Sequence, residues 1–95
     1  MLRSYETIFI VSMELDEEKR NATVARIKEI IEKDAQLESF DEWGTRKLAY
    51  PINYQKEGYY VLVKFKADPA FIEELERNYR ITDDILKSIV IKKDE

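Results

Sequence analysis

The 95-residue sequence contains no cysteine and no histidine. Without cysteine there is no disulfide, no thiolate zinc site and no cysteine nucleophile. Without histidine the chain lacks the most usual general base and metal ligand. Its two glycines, Gly44 and Gly58, are too few for a P-loop or a G-x-G-x-x-G dinucleotide motif. These absences exclude most classes of enzymatic site, so we expect no catalytic residue, no bound metal and no cofactor.

Long apolar runs are also missing. No run approaches the roughly 20 residues of a membrane-spanning helix, and the N-terminus lacks the apolar core of a signal peptide. We therefore expect a cytoplasmic protein.

Charge is abundant but nearly balanced. Lys and Arg total 16 against 20 Asp and Glu, which gives a net charge of −4. The chain as a whole therefore exerts no long-range attraction on a polyanion. If it binds nucleic acid, we expect a local basic cluster or a basic partner to supply the phosphate contacts.

Hydrophobic periodicity predicts six secondary-structure elements. Strands alternate every second residue, whereas helices repeat their apolar residues every three or four. In chain order we predict a strand at 3–12, a helix from an Asp16 cap to about Asp34, an extended segment at 36–50 with a bulge or bend at Gly44, a polar loop at 51–58, a strand at 59–66, a helix starting at Asp68-Pro69, a turn at 82–84, a strand at 85–92 and a short charged tail at 93–95.

The order strand-helix-strand-strand-helix-strand predicts an α+β protein with the ferredoxin-like split β-α-β fold. It places both helices on one face of a four-stranded antiparallel sheet, with the first and third strands central. We expect residues 1–95 to form a single domain of this type. The predicted core packs Val24, Ile27, Ile31, Ile72 and Leu75 of the helices against Thr7, Phe9, Val11, Val61, Val63 and Phe65 of the strands.

The other sheet face should be polar if the protein works alone. Instead, six residues with the parity of that face are apolar or aromatic. We interpret them as a partner-binding platform, with ordinary apolar exposure as the alternative. The predicted partner-binding residues are Ile8, Ile10, Tyr60, Leu62, Ile89 and Ile91.

Two weaker signals point to other chemistry. Adjacent acidic pairs such as Glu17-Glu18 are typical of helix caps and solvated surface, and their spacing does not support a cation site. The aromatic strand starting at Tyr59 loosely resembles the central strand of RRM domains, where rings stack on unpaired bases. An ordinary aromatic strand is the better interpretation, because the RRM pattern calls for a small residue where this chain has Tyr60.

One stretch is specific to a known family. The run from Trp43 to Ile52, WGTRKLAYPI, resembles the W-G-x-R-x-L-A-Y-x-I motif of the bacterial small-ribosomal-subunit protein "six" family. Arg3-Ser4-Tyr5-Glu6 is similar to the family's opening R-x-Y-E. Gly58-Tyr59-Tyr60 and the stretch 79–86 resemble its third-strand start and its helix-to-strand turn. Four motifs in the family's order cover essentially the whole chain.

The resemblance implies a structural constituent of the small ribosomal subunit with the same split β-α-β fold. It also implies a heterodimer with the small basic ribosomal protein "eighteen", which joins ribosomal RNA in the central domain. Within such a particle we expect some of the basic residues to contact phosphates. For Arg46, which shares strand parity with Leu48 and Tyr50, the alternative is a structural role in which it packs its stem and pairs with a carboxylate. The candidate RNA-binding residues are Arg3, Arg46, Lys47, Arg80, Lys87, Lys92 and Lys93.

Two rival functions remain open on the sequence. A free-standing RRM-like binder of single strands would need exposed rings and a basic sheet. A small-molecule regulatory or enzymatic domain of the same architecture would need glycine-rich loops or histidines. The acidic balance counts against the first, and the composition counts against the second.

Overall fold

A computed structural model describes residues 2–52 and 54–93 of the chain. Its sheet has the strand order β2-β3-β1-β4, and every neighbouring pair is antiparallel. This confirms the predicted split β-α-β fold with the first and third strands central. No helix within the described residues is long and apolar enough to cross a membrane. The elements are β1 (Arg3–Ser12), α1 (Glu17–Asp34), β2 (Gln36–Ile52), β3 (Gln55–Ala67), α2 (Pro69–Ile81) and β4 (Ile85–Lys92).

Both helices begin at the predicted caps. The Asp16 carboxylate accepts a 2.8 Å hydrogen bond from the Lys19 backbone N–H at the start of α1. The Asp68 carboxylate accepts one of 3.0 Å from Ala70 at the start of α2, where Pro69 follows the cap. Such caps satisfy backbone donors that have no partner inside the helix. The bond from the Ala70 N–H also lowers the pKa of Asp68, since it stabilises the carboxylate form.

The main core lies between the helices and one sheet face, as predicted. Ile27 and Ile31 of α1 and Leu75 of α2 are fully buried there, and Ile72 packs at the edge of the cluster. Alternate residues of the two central strands complete this core. The odd-numbered residues of β1 therefore face the helices, and the even-numbered ones face the other way. The buried strand residues include Phe9, Val11, Val61, Val63 and Phe65.

The predicted loop at 51–58 is wrong for its described residues. β2 continues to Ile52 and β3 begins at Gln55, so the two strands form one long hairpin. Strand pairing stops after Lys47–Glu57 and resumes at Ile52–Gln55. Pro51, which has no backbone N–H to donate, lies in the unpaired part between them. The polar side chains of this stretch show no hydrophobic alternation, because neither face of the hairpin end belongs to the main core. Asn53 lies outside the described residues.

The predicted bulge at Gly44 is confirmed. The β2–β3 register shifts between Glu42 and Gly44, and Gly44 has a φ of 84°. A residue with a Cβ adopts that conformation only with strain. The shift inserts one extra residue, Trp43, opposite the regular pairing of β3. Of the predicted tail 93–95, Asp94 and Glu95 lie outside the described residues.

Candidate functional site

All six predicted partner-binding residues lie on the sheet face opposite the helices, here called the helix-free face. Ile8 of β1 pairs with Leu62 of β3 on one side and Ile89 of β4 on the other. Ile10 pairs with Tyr60 in the next row, and Ile91 pairs with Glu6 at the other end. None of the six belongs to the core cluster between sheet and helices. Register alone therefore brings them into one continuous patch of side chains.

The patch is unevenly exposed. Ile10 and Leu62 keep only 7% and 9% of their surface accessible, whereas Ile89 and Ile91 are each 44% exposed. Ile8 and Tyr60 are intermediate. The apolar surface available to a partner is therefore concentrated on the edge strand β4 and its junction with β1.

The end of the β2–β3 hairpin explains the burial of Ile10. Leu48, which is itself buried, and Ile10 both pack against Gly58, where any Cβ would overlap the Ile10 Cγ2 methyl. Farther along β2, the Tyr50 hydroxyl accepts a 3.1 Å hydrogen bond from Lys87 Nζ, which also lies 5.3 Å from the ring centroid. Since β2 and β4 occupy opposite sheet edges, this contact shows that the hairpin end curls over the helix-free face.

A second feature of this face lies at its β2 edge. The indole of Trp43 stacks with the Tyr60 ring, with centroids 6.4 Å apart and planes 10° from parallel. Trp43 remains 43% exposed. Arg46 and Lys47 line the open hollow beside the two rings. Both cations are exposed, and neither forms an ion pair with any residue that the structure describes. The pairing of Arg46 with a carboxylate, which the sequence left as an alternative, is therefore not seen within the described residues.

Basic residues also gather where β1 starts and β4 ends. The antiparallel pairing brings Arg3, Lys92 and Lys93 around one open notch, as the predicted topology requires. Lys66 of β3 lines the same notch. Sequence reasoning missed Lys66, although its register opposite Ser4 follows directly from the β1–β3 pairing. We call Arg3, Lys66, Lys92 and Lys93 the basic notch.

Lys93 within the basic notch, and the candidates Lys87 and Arg80 outside it, are more constrained or more distant. Lys93 Nζ already forms a 3.0 Å salt bridge with Glu6, and Lys87 is held by Tyr50. Arg80 lies on α2 in an open hollow lined by other helix residues, including Arg77 and three glutamates. Arg80 is therefore separate from both the basic notch and the hollow beside Trp43. The basic candidates form separate clusters rather than one continuous stripe.

The acidic residues show no arrangement for chemistry. Within residues 2–52 and 54–93, no cluster of three or more carboxylates is placed to hold a metal ion. Glu42 instead accepts a 2.8 Å hydrogen bond from the Tyr59 hydroxyl. Burial, followed by this bond to a carboxylate, raises the pKa of Tyr59 because both disfavour the phenolate.

A four-stranded antiparallel sheet with an apolar free face and basic clusters at its margins defines an α+β binding domain of the ferredoxin-like class. A family model described as "Ribosomal protein S6" matches residues 4–92. The small ribosomal subunit protein bS6 of Caldanaerobacter subterraneus subsp. tengcongensis is 48% identical over 95 residues, which cover 99% of this chain and 100% of that protein. The same protein of Clostridium novyi is 50% identical over 91 residues, covering 95% and 96% of the two chains.

The crystal structure of 30S ribosomal protein S6 from Thermotoga maritima superposes with a TM-score of 0.92 at 34% identity, covering 98% of this chain and 89% of that one. An uncharacterised protein of the same organism, 15% identical with a TM-score of 0.66, shares only the fold. The chain belongs to the ribosomal protein S6 family. It is a structural protein of the small subunit of the cytoplasmic ribosome and not an enzyme.

Proposed function

We propose that this chain binds small-subunit ribosomal RNA in its central domain as a heterodimer with the small basic ribosomal protein "eighteen". The observation that carries the proposal is the exposed apolar edge of the helix-free face, where Ile89 and Ile91 are each 44% exposed beside Ile8. Contiguous apolar residues on one face of a small protein mark an interaction surface.

Hydrophobic burial supplies a reason for the heterodimer. At roughly 25 cal/mol per Å², covering a few hundred Å² of apolar surface contributes several kcal/mol before the cost of association is subtracted. The charge pattern adds a reason for a basic partner. With a net charge of −4, the chain attracts a cationic protein. Such a partner adds phosphate contacts to the few that the basic clusters of this chain can make.

The basic notch is the part of this chain proposed to reach RNA directly. Arg3, Lys66 and Lys92 line the notch, whereas Lys93 forms a salt bridge with Glu6. Alanine substitution of a residue that contacts a phosphate should lower the slope of log affinity against log salt by about one. In this proposal residues 1–95 act as a single domain, with the apolar edge for the protein partner and the basic margins for RNA.

A matched pair of isoleucine substitutions tests the proposal. Ile89→Asp places a charge in the apolar edge, whereas Ile81→Asp makes the same change at an exposed isoleucine at the end of α2. Tagged chain is mixed with the basic partner and central-domain RNA, and capture of each is quantified. We expect Ile89→Asp to weaken partner capture tenfold or more, about 1.4 kcal/mol, with Ile81→Asp unchanged.

Two results contradict the proposal. One is equal capture by wild type, Ile89→Asp and Ile81→Asp, which identifies the edge as ordinary exposed surface. The other is failure of the wild-type chain to capture the partner and RNA at all. Circular dichroism of both variants confirms that the comparison is made between folded proteins.

A further inference from the structure

We propose that Trp43 is a stacking site for one unpaired base of single-stranded RNA, with Arg46 and Lys47 holding the adjoining phosphates. This inference rests on the proposed RNA-binding function and adds to it a specific contact on the β2 side of the helix-free face. The site is separate from the apolar edge on β4, because β3 and β1 lie between β2 and β4.

The ring geometry supplies the platform. The Gly44 bulge brings the Trp43 indole against Tyr60, so that the indole lies nearly parallel to a ring anchored on a central strand. This contact restricts the indole while 43% of the residue stays open to solvent. A flat ring that is held on one side and open on the other is suited to stacking on a nucleobase, whichever base it is.

The charges beside the rings favour a nucleic acid over a protein as the occupant. Arg46 and Lys47 line the same hollow as Trp43 and Tyr60. Neither cation forms an ion pair within the described residues: Glu57 lies opposite Lys47 in the strand register without a salt bridge, and Glu42 is bonded to Tyr59. An apolar protein segment would desolvate two unpaired cations here, which costs free energy. A nucleotide presents a base to the indole and a phosphate to the cations.

The neighbouring surface on β4 has the opposite character. Ile89 and Ile91 are exposed there, where Glu6 holds Lys93 and Tyr50 holds Lys87, while Lys92 belongs to the basic notch. The two margins of one sheet therefore offer different chemistry. The β4 margin is apolar at Ile89 and Ile91, and the β2 margin is aromatic at Trp43 with two exposed cations beside the ring.

The single tryptophan makes the test direct, because all indole fluorescence comes from Trp43. Wild-type chain is titrated with eight-nucleotide oligouridylate and oligoadenylate at low salt, while Trp43 emission is followed. The anisotropy of an end-labelled oligonucleotide gives the affinity of each variant. We expect saturable quenching of Trp43 and a loss of affinity on the order of tenfold in Trp43→Ala, with Trp43→Phe retaining most of it.

Charge variants test the phosphate contacts. Arg46→Gln and Lys47→Gln should each lower the slope of log affinity against log salt by about 0.7, the value for one phosphate of a single strand. Lys33→Gln is the matched control, since it removes an exposed cation from the last turn of α1, and it should change neither affinity nor slope.

The inference is overturned if no oligonucleotide quenches Trp43, or if Trp43→Ala and Arg46→Gln bind with wild-type affinity. It is also overturned if the basic partner quenches Trp43 while oligonucleotides do not, because the hollow would then receive a protein. Capture of partner and ribosomal RNA, measured in parallel, separates the two proposals. If the wild-type chain captures partner and RNA while no oligonucleotide quenches Trp43, the assembly function stands and the stacking site is rejected.

Discussion

The Tyr79 hydroxyl of α2 lies 3.0 Å from the Thr7 hydroxyl of β1 inside the core. Thr7 Oγ1 donates its only hydrogen to the Ile89 carbonyl at 2.8 Å, so Tyr79 must be the donor to Thr7. One buried chain of two hydrogen bonds therefore joins α2 to the central strand β1 and to the edge strand β4. The backbone of Ile89, a residue of the proposed partner edge, is thereby linked to α2 through Thr7.

Removing the Tyr79 hydroxyl and removing the Thr7 hydroxyl should lower the stability by different amounts. Tyr79→Phe leaves Thr7 bonded to Ile89 and should cost about 1 kcal/mol. Thr7→Val leaves the buried Tyr79 hydroxyl without an acceptor and should cost more, roughly 2–3 kcal/mol. The double variant should lose less stability than the two single losses added together, since it contains no orphaned hydroxyl. Urea unfolding measures all three, and strict additivity would show that the two hydroxyls are not coupled.

The same hydroxyl predicts a loss of stability at high pH. Burial raises the pKa of Tyr79 above that of an unfolded tyrosine, so the folded state keeps its proton when the unfolded state releases it. Stability should therefore fall as the pH rises above about 10, the unfolded value. Thermal unfolding between pH 8 and pH 11 should show a shallower fall in Tyr79→Phe than in wild type. An equal fall in both would place the effect in other groups, of which Tyr59 is the first candidate.

Ile27 tests the orientation of α1. Its side chain is fully buried against the sheet. Ile27→Ala should cost about 2–4 kcal/mol in urea unfolding, because it removes buried methyl groups and leaves a cavity. Ala25 and Arg26, its exposed neighbours, provide surface controls whose replacement by serine and lysine should change stability by less than about 0.5 kcal/mol. A loss below that figure for Ile27→Ala contradicts the packing described here.

Gly58 tests the curl of the hairpin over the helix-free face. Gly58→Ala introduces a methyl group where the Ile10 side chain already lies. The displaced packing should cost about 1–3 kcal/mol. The variant should also lose the Tyr50–Lys87 contact, because the hairpin end can no longer close over β1. Unchanged stability together with an unchanged Tyr50 environment, followed by proton NMR, would contradict this account of the hairpin.

Most of the fold could be predicted because its signals are local. Asp16 and Asp68-Pro69 mark helix starts, and the two-residue period of β1 and β3 sorts their residues onto two faces. The extent of the hairpin between β2 and β3 could not, because its end is built from polar residues such as Gln55 and Lys56, which carry no hydrophobic alternation. Its extent is set by backbone pairing, which leaves no hydrophobic pattern.

The helix-free face was predicted by parity, but its exposure was not. The burial of Ile10 depends on Leu48 folding back over Gly58, a tertiary contact that strand parity does not contain. Trp43 was part of the family motif without a predicted role. The bulge at Gly44 was the available signal, since one extra residue reverses the face that Trp43 occupies.

Methyl NMR of the isoleucine side chains can show whether the partner docks on the apolar edge of the helix-free face. Chain labelled at isoleucine methyls is titrated with the small basic partner. We expect the resonances of Ile8, Ile89 and Ile91 to shift or broaden to saturation, while that of Ile81 on α2 stays in place. Shifts at Ile81 and Ile72 with Ile89 and Ile91 unaffected would contradict it, and would place the partner on the helices instead.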